Sequence, residues 1–229
     1  MPEIAARHGD FDAWFLRAFE KTGLSCRVAN VAQEPPPEAR GAGGILITGS
    51  LASAYADEPW ILRLVDWIRS ASSHDIPTLG VCFGHQVLAR ALGGKARRNP
   101  AGREVGTPEV RLTPEGTRDW LFDGVPERFS AQLTHDDDVE VLPPGALLLA
   151  ANDHTSVQAF ALGDHLRGVQ FHPEIDPSIM EAIVGYKVSA GILTEAALPT
   201  RLPIRPTPEA ARVLSNFADR VKTGGNHPA

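Results

Sequence analysis

The sequence predicts an α/β fold: a doubly wound, mostly parallel sheet with an antiparallel extension. Three observations carry this. Two short apolar runs, residues 44–48 (GILIT) and 78–81 (TLGV), suit strands buried on both faces. Amphipathic helical stretches alternate with them, the rhythm of right-handed βαβ units. After residue 95 the pattern changes, and residues 105–112, 146–151, 156–161 and 166–171 read as strands joined by turns.

Taken in order, Phe11, Trp14, Phe15, Ala18 and Phe19 mark one apolar helix face. Asp10 can cap that helix and Gly23 can end it. Residues 2–10 have no apolar run and read as a loop leading into it. Residues 26–31 alternate toward a strand, with Cys26 as a small apolar core residue. Pro35, Pro36 and Pro37 make 33–43 a loop. The strand at 44–48 leads into a Gly-Ser loop over 49–58. Pro59 suits the first turn of a helix with Ile61, Leu64, Val65 and Ile68 on its face, and Trp60 and Trp67 pack along it. The strand at 78–81 leads to a helix over 84–92 that Gly93 and Gly94 end. Ala210, Val213, Leu214, Phe217, Ala218 and Val221 mark a last amphipathic helix. The prolines of 199–208 favour an extended connector. Residues 1–223 are expected to form a single domain and 224–229 a disordered tail.

Composition narrows the function classes. A chain of 229 residues suits one α/β domain. With a formal net charge of −6 and no basic run, it lacks the electrostatic footprint of a nucleic-acid binder. The start carries Glu3, Arg7, His8 and Asp10 rather than an apolar signal region, and the longest apolar stretch, 146–151, is far short of the ~20 residues a membrane helix needs. Two cysteines, Cys26 and Cys82, make no disulfide framework, so a cytoplasmic, reducing compartment is expected.

The chemistry lies in two motifs. Gly80-Val81-Cys82-Phe83-Gly84 puts a nucleophile between glycines where a buried strand meets a helix. So sharp a turn leaves no room for side chains two residues either side, and it exposes the nucleophile in a strained conformation. The following helix points its N-terminus at the sulfur, which favours thiolate, and the Phe83 N–H is placed to hold an oxyanion. Ninety residues after the cysteine, Gly168-Val169-Gln170-Phe171-His172-Pro173-Glu174 ends a strand on a histidine with a carboxylate two residues later. A thiol nucleophile needs a base, and the base needs an orienting group. Cys82, His172 and Glu174 are therefore the candidate catalytic set.

Other residues carry blander readings. His85 packs on the elbow helix. Asp136, Asp137 and Asp138 form a solvated loop with no matching metal-ligand cluster around it, and Arg97, Arg98 and Arg103 are surface charge near the antiparallel extension, within reach of a substrate carboxylate.

GVCFGHQVLARALGG followed by GVQFHPE resembles the class I glutamine amidotransferase family, over about residues 44–174. The resemblance implies a flavodoxin-like fold, a Cys82-His172-Glu174 triad and a γ-glutamyl thioester, with no cofactor or metal. It implies oxyanion donors at Phe83 and Gly49, and glutamine recognition by Gln86 and by the segment Thr134-His135-Asp136-Asp137, where the family usually has glycine in place of Asp136. The loop Thr48-Gly49-Ser50-Leu51 departs from the frequent Gly-Gly-Pro and resembles a stand-alone branch that includes plant γ-glutamyl peptidases; Ser50 and Leu51 would then face substrate. The family usually opens with a short apolar strand before the first helix, and none is visible here, so a central strand is expected to be lacking. Three functions stay open. The chain is a glutaminase that works with a separate synthetase subunit, or it is a stand-alone γ-glutamyl hydrolase or peptidase, or it is a non-catalytic binding module.

Overall fold

Two of the predicted apolar runs sit side by side at one end of a seven-stranded sheet. The computed structural model describes residues 2–193 and 204–224. In chain order these form α1 (Pro2–His8), α2 (Phe11–Phe19), β1 (Ile45–Ile47), α3 (Pro59–Ala71), β2 (Thr78–Val81), α4 (Phe83–Ala91), β3 (Lys95–Arg98), β4 (Glu104–Gly106) and β5 (Glu109–Leu112). Next come β6 (Arg128–Ser130), β7 (Leu133–His135), β8 (Asp137–Val141), β9 (Leu147–Ala151), β10 (Ala159–Leu162), β11 (Leu166–Val169), α5 (Pro177–Ser189) and α6 (Pro208–Lys222).

The sheet order is β1-β2-β11-β10-β9-β5-β6. β1, β2 and β11 run parallel, and the rest of the sheet continues antiparallel, as the change of pattern after residue 95 predicts. Every residue of β2 is buried, which is why that strand does not alternate; β11 is buried throughout as well, its one charged residue, Arg167, pairing with Asp119 at 2.9 Å. Helices cover both faces. On one, Phe15 and Phe19 of α2 and Val213, Leu214 and Phe217 of α6 pack against Leu79 and Val81. On the other, Ile61, Leu64 and Val65 of α3 and Val87 and Leu88 of α4 pack against Ile45, Ile47 and Phe160. A smaller core joins Ile4, Trp14, Ile179, Met180 and Ile183. Two short antiparallel pairs, β3–β8 and β4–β7, stand beside the main sheet.

Several elements differ from expectation. Residues 26–31 form no strand, and Cys26 is exposed rather than in the core. Alternation can shape a strand, but its backbone groups also need a partner, and among the described residues β1 lies at the sheet edge with only β2 beside it. Residues 2–8 form α1 instead of a loop, held by packing on α5 and by the Trp14 Nε1 bond to His8 O at 3.1 Å. The run 105–112 splits into β4 and β5, which belong to different sheets; Pro108 lies at the break and has no N–H to continue a ladder. The tail after residue 224 and residues 199–203 of the 199–208 connector lie outside the described residues. No helix among the described residues is long and apolar enough to cross a membrane.

α6 is bound to the core through Phe217, whose ring lies 6.4 Å from that of Phe19. Phe217→Ala is expected to cost about 3–5 kcal/mol of unfolding free energy, read as a lower urea midpoint with an unchanged slope.

Candidate active site

Because β1, β2 and β11 are parallel neighbours, the loops leaving their C-terminal ends emerge side by side. Gly49 follows β1, Cys82 follows β2 and His172 follows β11. The register places Ile47 opposite Gly80 and Gly80 opposite Gly168. Topology alone thus gathers three residues distant in sequence.

The turn at Cys82 is as sharp as its glycines imply. Cys82 has φ 53° and ψ −104°, and it alone among the described non-glycine residues has positive φ. Such strain costs on the order of 1–3 kcal/mol and persists only where the surroundings enforce it. Here they do. A Cβ on Gly80 would lie 2.4 Å from Gly84 O, and one on Gly84 would lie 2.0 Å from Ile47 O. The Cys82 N–H donates to Val169 O at 2.9 Å, while its carbonyl accepts from Gln86 N at 3.1 Å. The sulfur therefore sits at the N-terminus of α4, where unpaired N–H groups favour negative charge. Phe83 is the first residue of that helix; its ring stacks 5.5 Å from Trp60 and its N–H has no intrahelical acceptor.

His172 and Glu174 are both buried, with Nδ1 of the ring 2.6 Å from Glu174 Oε1. The backbone N–H of His172 donates to Gln132 O at 2.9 Å, fixing the ring's point of departure. Burial alone would lower the imidazole pKa. The Glu174 carboxylate and the Cys82 sulfur outweigh it and raise His172 to about 10, so the ring is cationic through the neutral range. Gly49 lies against the same ring: a Cβ there would be 3.1 Å from His172 Cε1, with Phe11 Cε1 behind it at 3.6 Å. Cys82, His172, Glu174, Gly49 and Phe83 thus share one site.

The expected substrate-binding residues line up less evenly. Gln86 is buried, and its amide nitrogen donates to Asp137 O at 2.8 Å and to Gln170 Oε1 at 3.0 Å, tying the nucleophile helix to the 134–137 segment. Ser50 Oγ accepts from Ala52 N at 3.2 Å, and Leu51 is exposed. Thr134 and His135 belong to β7, and Asp136 forms the turn into β8. Asp136 is not a solvated loop residue: Arg103 Nε and Nη2 donate to its two oxygens at 2.6 and 2.8 Å. Arg97 likewise pairs with Asp138 and Glu140 instead of standing free. His85 packs as expected, buried against Phe160 at 5.0 Å, and burial lowers it to about 3, so it stays neutral.

Sequence reasoning missed Glu104. It is buried, and its carboxylate meets His135 Nε2 at 3.0 Å, Asn152 Nδ2 at 2.6 Å, Thr155 Oγ1 at 3.1 Å and Gln158 Nε2 at 3.0 Å. The other ring nitrogen of His135, Nδ1, contacts Asp137 O at 2.8 Å, so Glu104 anchors the whole 134–137 segment. No local pattern marks it; its contacts come from residues 31 to 54 positions away.

Comparison with known proteins fits this geometry. Residues 8–184 match the family model described as glutamine amidotransferase class-I. The chain belongs to that family. It is 32% identical to γ-glutamyl peptidase 5 of Arabidopsis thaliana over 154 residues, 66% of this chain and 61% of that protein, so the match spans less than two thirds of the relative's length. It is also 30% identical to one subunit of the glutamine-hydrolysing GMP synthase from Methanoculleus marisnigri, over 184 residues, 77% of this chain and 89% of the relative. A crystal structure titled as a glutamine amido transferase from Methylobacillus flagellatus shares the fold, with TM-score 0.76 and 24% identity over 94% of this chain and 90% of that one. The relatives are enzymes by name.

Burial alone would raise the Glu104 pKa, but its hydrogen bond and charge interaction with His135, with help from Asn152, outweigh burial and hold it below the ordinary 4.5. A carboxyl depressed in the folded state contributes stability that is present above its unfolded pKa and lost as pH falls through the folded one. Glu104→Gln is therefore expected to lose about 1–3 kcal/mol at pH 7. The gap to wild type should narrow as pH falls below 4.5, in urea denaturation between pH 3 and 7.

Proposed function

We propose that this chain hydrolyses γ-glutamyl amides, the side-chain amide of glutamine among them, through a γ-glutamyl thioester on Cys82. One observation carries the reading: a cysteine strained at a helix N-terminus beside a buried His172–Glu174 pair closed at 2.6 Å. A binding module has no use for a strained thiol facing a cationic imidazole.

In this reading the Cys82 sulfur attacks the γ-carbonyl carbon, and the electron pair moves to the oxygen. The backbone N–H groups of Phe83 and Gly49 hold that oxyanion. As it collapses, the C–N bond breaks and His172 gives its proton to the leaving amine. The neutral ring then takes a proton from water, whose oxygen attacks the thioester. The C–S bond breaks, glutamate leaves, and thiolate and imidazolium are restored. Glu174 keeps the ring oriented and favours its charged form. Gln86, His135 and Asp136 shape the pocket for the glutamyl group, with Thr134, Ser50 and Leu51 at its border. A free thiol of this kind suits a reducing, cytoplasmic compartment.

The resemblance to a component of GMP synthase favours a second reading, in which a separate synthetase takes up the released ammonia. The two differ in substrate. Steady-state rates on glutamine and on a panel of γ-glutamyl peptides, with and without a synthetase, separate them.

Cys82→Ala is expected to abolish turnover while keeping the fold. Mass spectrometry of quenched wild type should find the glutamyl adduct on Cys82; a reagent that alkylates thiols at large would also mark exposed Cys26. Glu174→Gln should lower kcat by up to about 10⁴-fold, as loss of the acidic partner does in related triads, and bring the His172 pKa down from about 10, seen by NMR titration of the ring. A Glu174→Gln enzyme with wild-type kcat and an unmoved histidine would refute the triad.

A further inference from the structure

Two cations, Arg103 and Lys187, meet the 134–137 segment, and their partners differ. Arg103 engages both oxygens of Asp136, and its remaining terminal nitrogen donates to Ile192 O at 2.6 Å. That pair is closed. Lys187, on α5, is the second cation here. Its Nζ donates to Thr134 Oγ1 at 2.7 Å, and among the described residues no carboxylate lies within ion-pair distance of it. A neutral hydroxyl satisfies only one of the three N–H donors of an ammonium.

The position of Lys187 is informative. Gln132 forms an isolated bridge to His172 immediately before β7, and Thr134 lies two residues further along, in β7. Lys187 therefore reaches the strand that adjoins the histidine. A lysine with no task at this place would extend its head into water. This one is half-buried and bends inward to Thr134. Burial, and then Arg103, hold its pKa below the ordinary lysine value, with Asp136 and the Cys82 sulfur acting in the opposite direction.

We propose that Lys187, with Thr134, forms a carboxylate-binding subsite beside Cys82 that selects γ-glutamyl substrates by a negative charge near the scissile amide. The inference rests on the hydrolysis proposed above and adds the feature by which its substrate is chosen. Two sources supply the same chemistry: the α-carboxylate of the glutamyl group, or the carboxylate of an amino-acid leaving group. Asp136 does not compete for Lys187, because Arg103 occupies it.

Four compounds separate the sources: L-glutamine, its α-amide, γ-glutamylglycine and γ-glutamyl methylamide. The measurement is kcat/KM for wild type, Lys187→Met and Lys187→Arg. If Lys187 reads the α-carboxylate, Lys187→Met should lose about 10–100-fold on the three compounds that carry it and little on the α-amide of glutamine. If it reads the leaving group, the loss should be confined to γ-glutamylglycine. In both cases Lys187→Arg should retain most of the activity. An equal loss on all four would mean that Lys187 acts on the thiol or the fold, and no loss on any would mean that it does nothing; each overturns the subsite. The same compounds, tested as protectants of Cys82 against iodoacetamide with mass-spectrometric readout, report binding without turnover. Protection that depends on the carboxylate and on Lys187, in an enzyme that cleaves none of the four, would retain the subsite and reject the hydrolysis. Protection indifferent to both, in an enzyme that cleaves them, would do the reverse.

Discussion

The close approach of α4 to the ends of β1 and β2 is the constraint on which the rest of the site depends. Gly84 lies so near Ile47 O that a single added carbon would be 2.0 Å away. That contact aims the helix N-terminus at the sulfur, and it lies two residues before Gly49, the second oxyanion donor in the proposed mechanism. Nucleophile and donor are thus set by one contact and cannot be moved independently. The strain at Cys82 follows from it: the chain turns from strand to helix in one residue because the helix sits directly over the strand. Nothing in this arrangement needs long strands; β1 has only three residues.

A second layer of control lies in the polar interior of the antiparallel half. Glu104 gathers a histidine, an amide, a hydroxyl and a glutamine around one buried carboxylate. A buried carboxylate is costly unless fully hydrogen-bonded, and fully bonded it admits one arrangement. The 134–137 segment is therefore held from below by Glu104, from the side by Arg103 and from the helix by Gln86. Asp136, where the family usually has glycine, is what lets Arg103 take part.

How legible each feature was in sequence follows from the range of the interaction behind it. The elbow was legible because its requirements fall within five consecutive residues, and α2, α3 and α6 were legible because each has a single apolar stripe. α5 was not: Ile179, Met180, Ala182, Ile183 and Val184 spread around the helix, which is packed on more than one side. Residues 26–31 have a strand's alternation but join no ladder among the described residues, and alternation alone does not decide pairing. Nothing local sets Glu104 or Lys187 apart, since only tertiary contacts bury the one and turn the other inward. Of the site, the motif residues could be placed from the sequence; the hydrogen bonds that hold the segment opposite them could not.

The sheet order also bears on when the molecule becomes competent. β11 occupies the place beside β2, yet among the described residues it is the last strand to be made. The units around β1 and β2 can form from contacts within the first hundred residues, but the strand that carries His172 joins them across a separation of almost ninety. Such distant pairing bears a large loop-closure entropy and comes late in folding. Until it forms, the sulfur has neither the His172 ring beside it nor the Val169 carbonyl that holds its backbone. Intermediates on the way to the native state therefore cannot hold the assembled site, and its appearance reports completion of the central sheet.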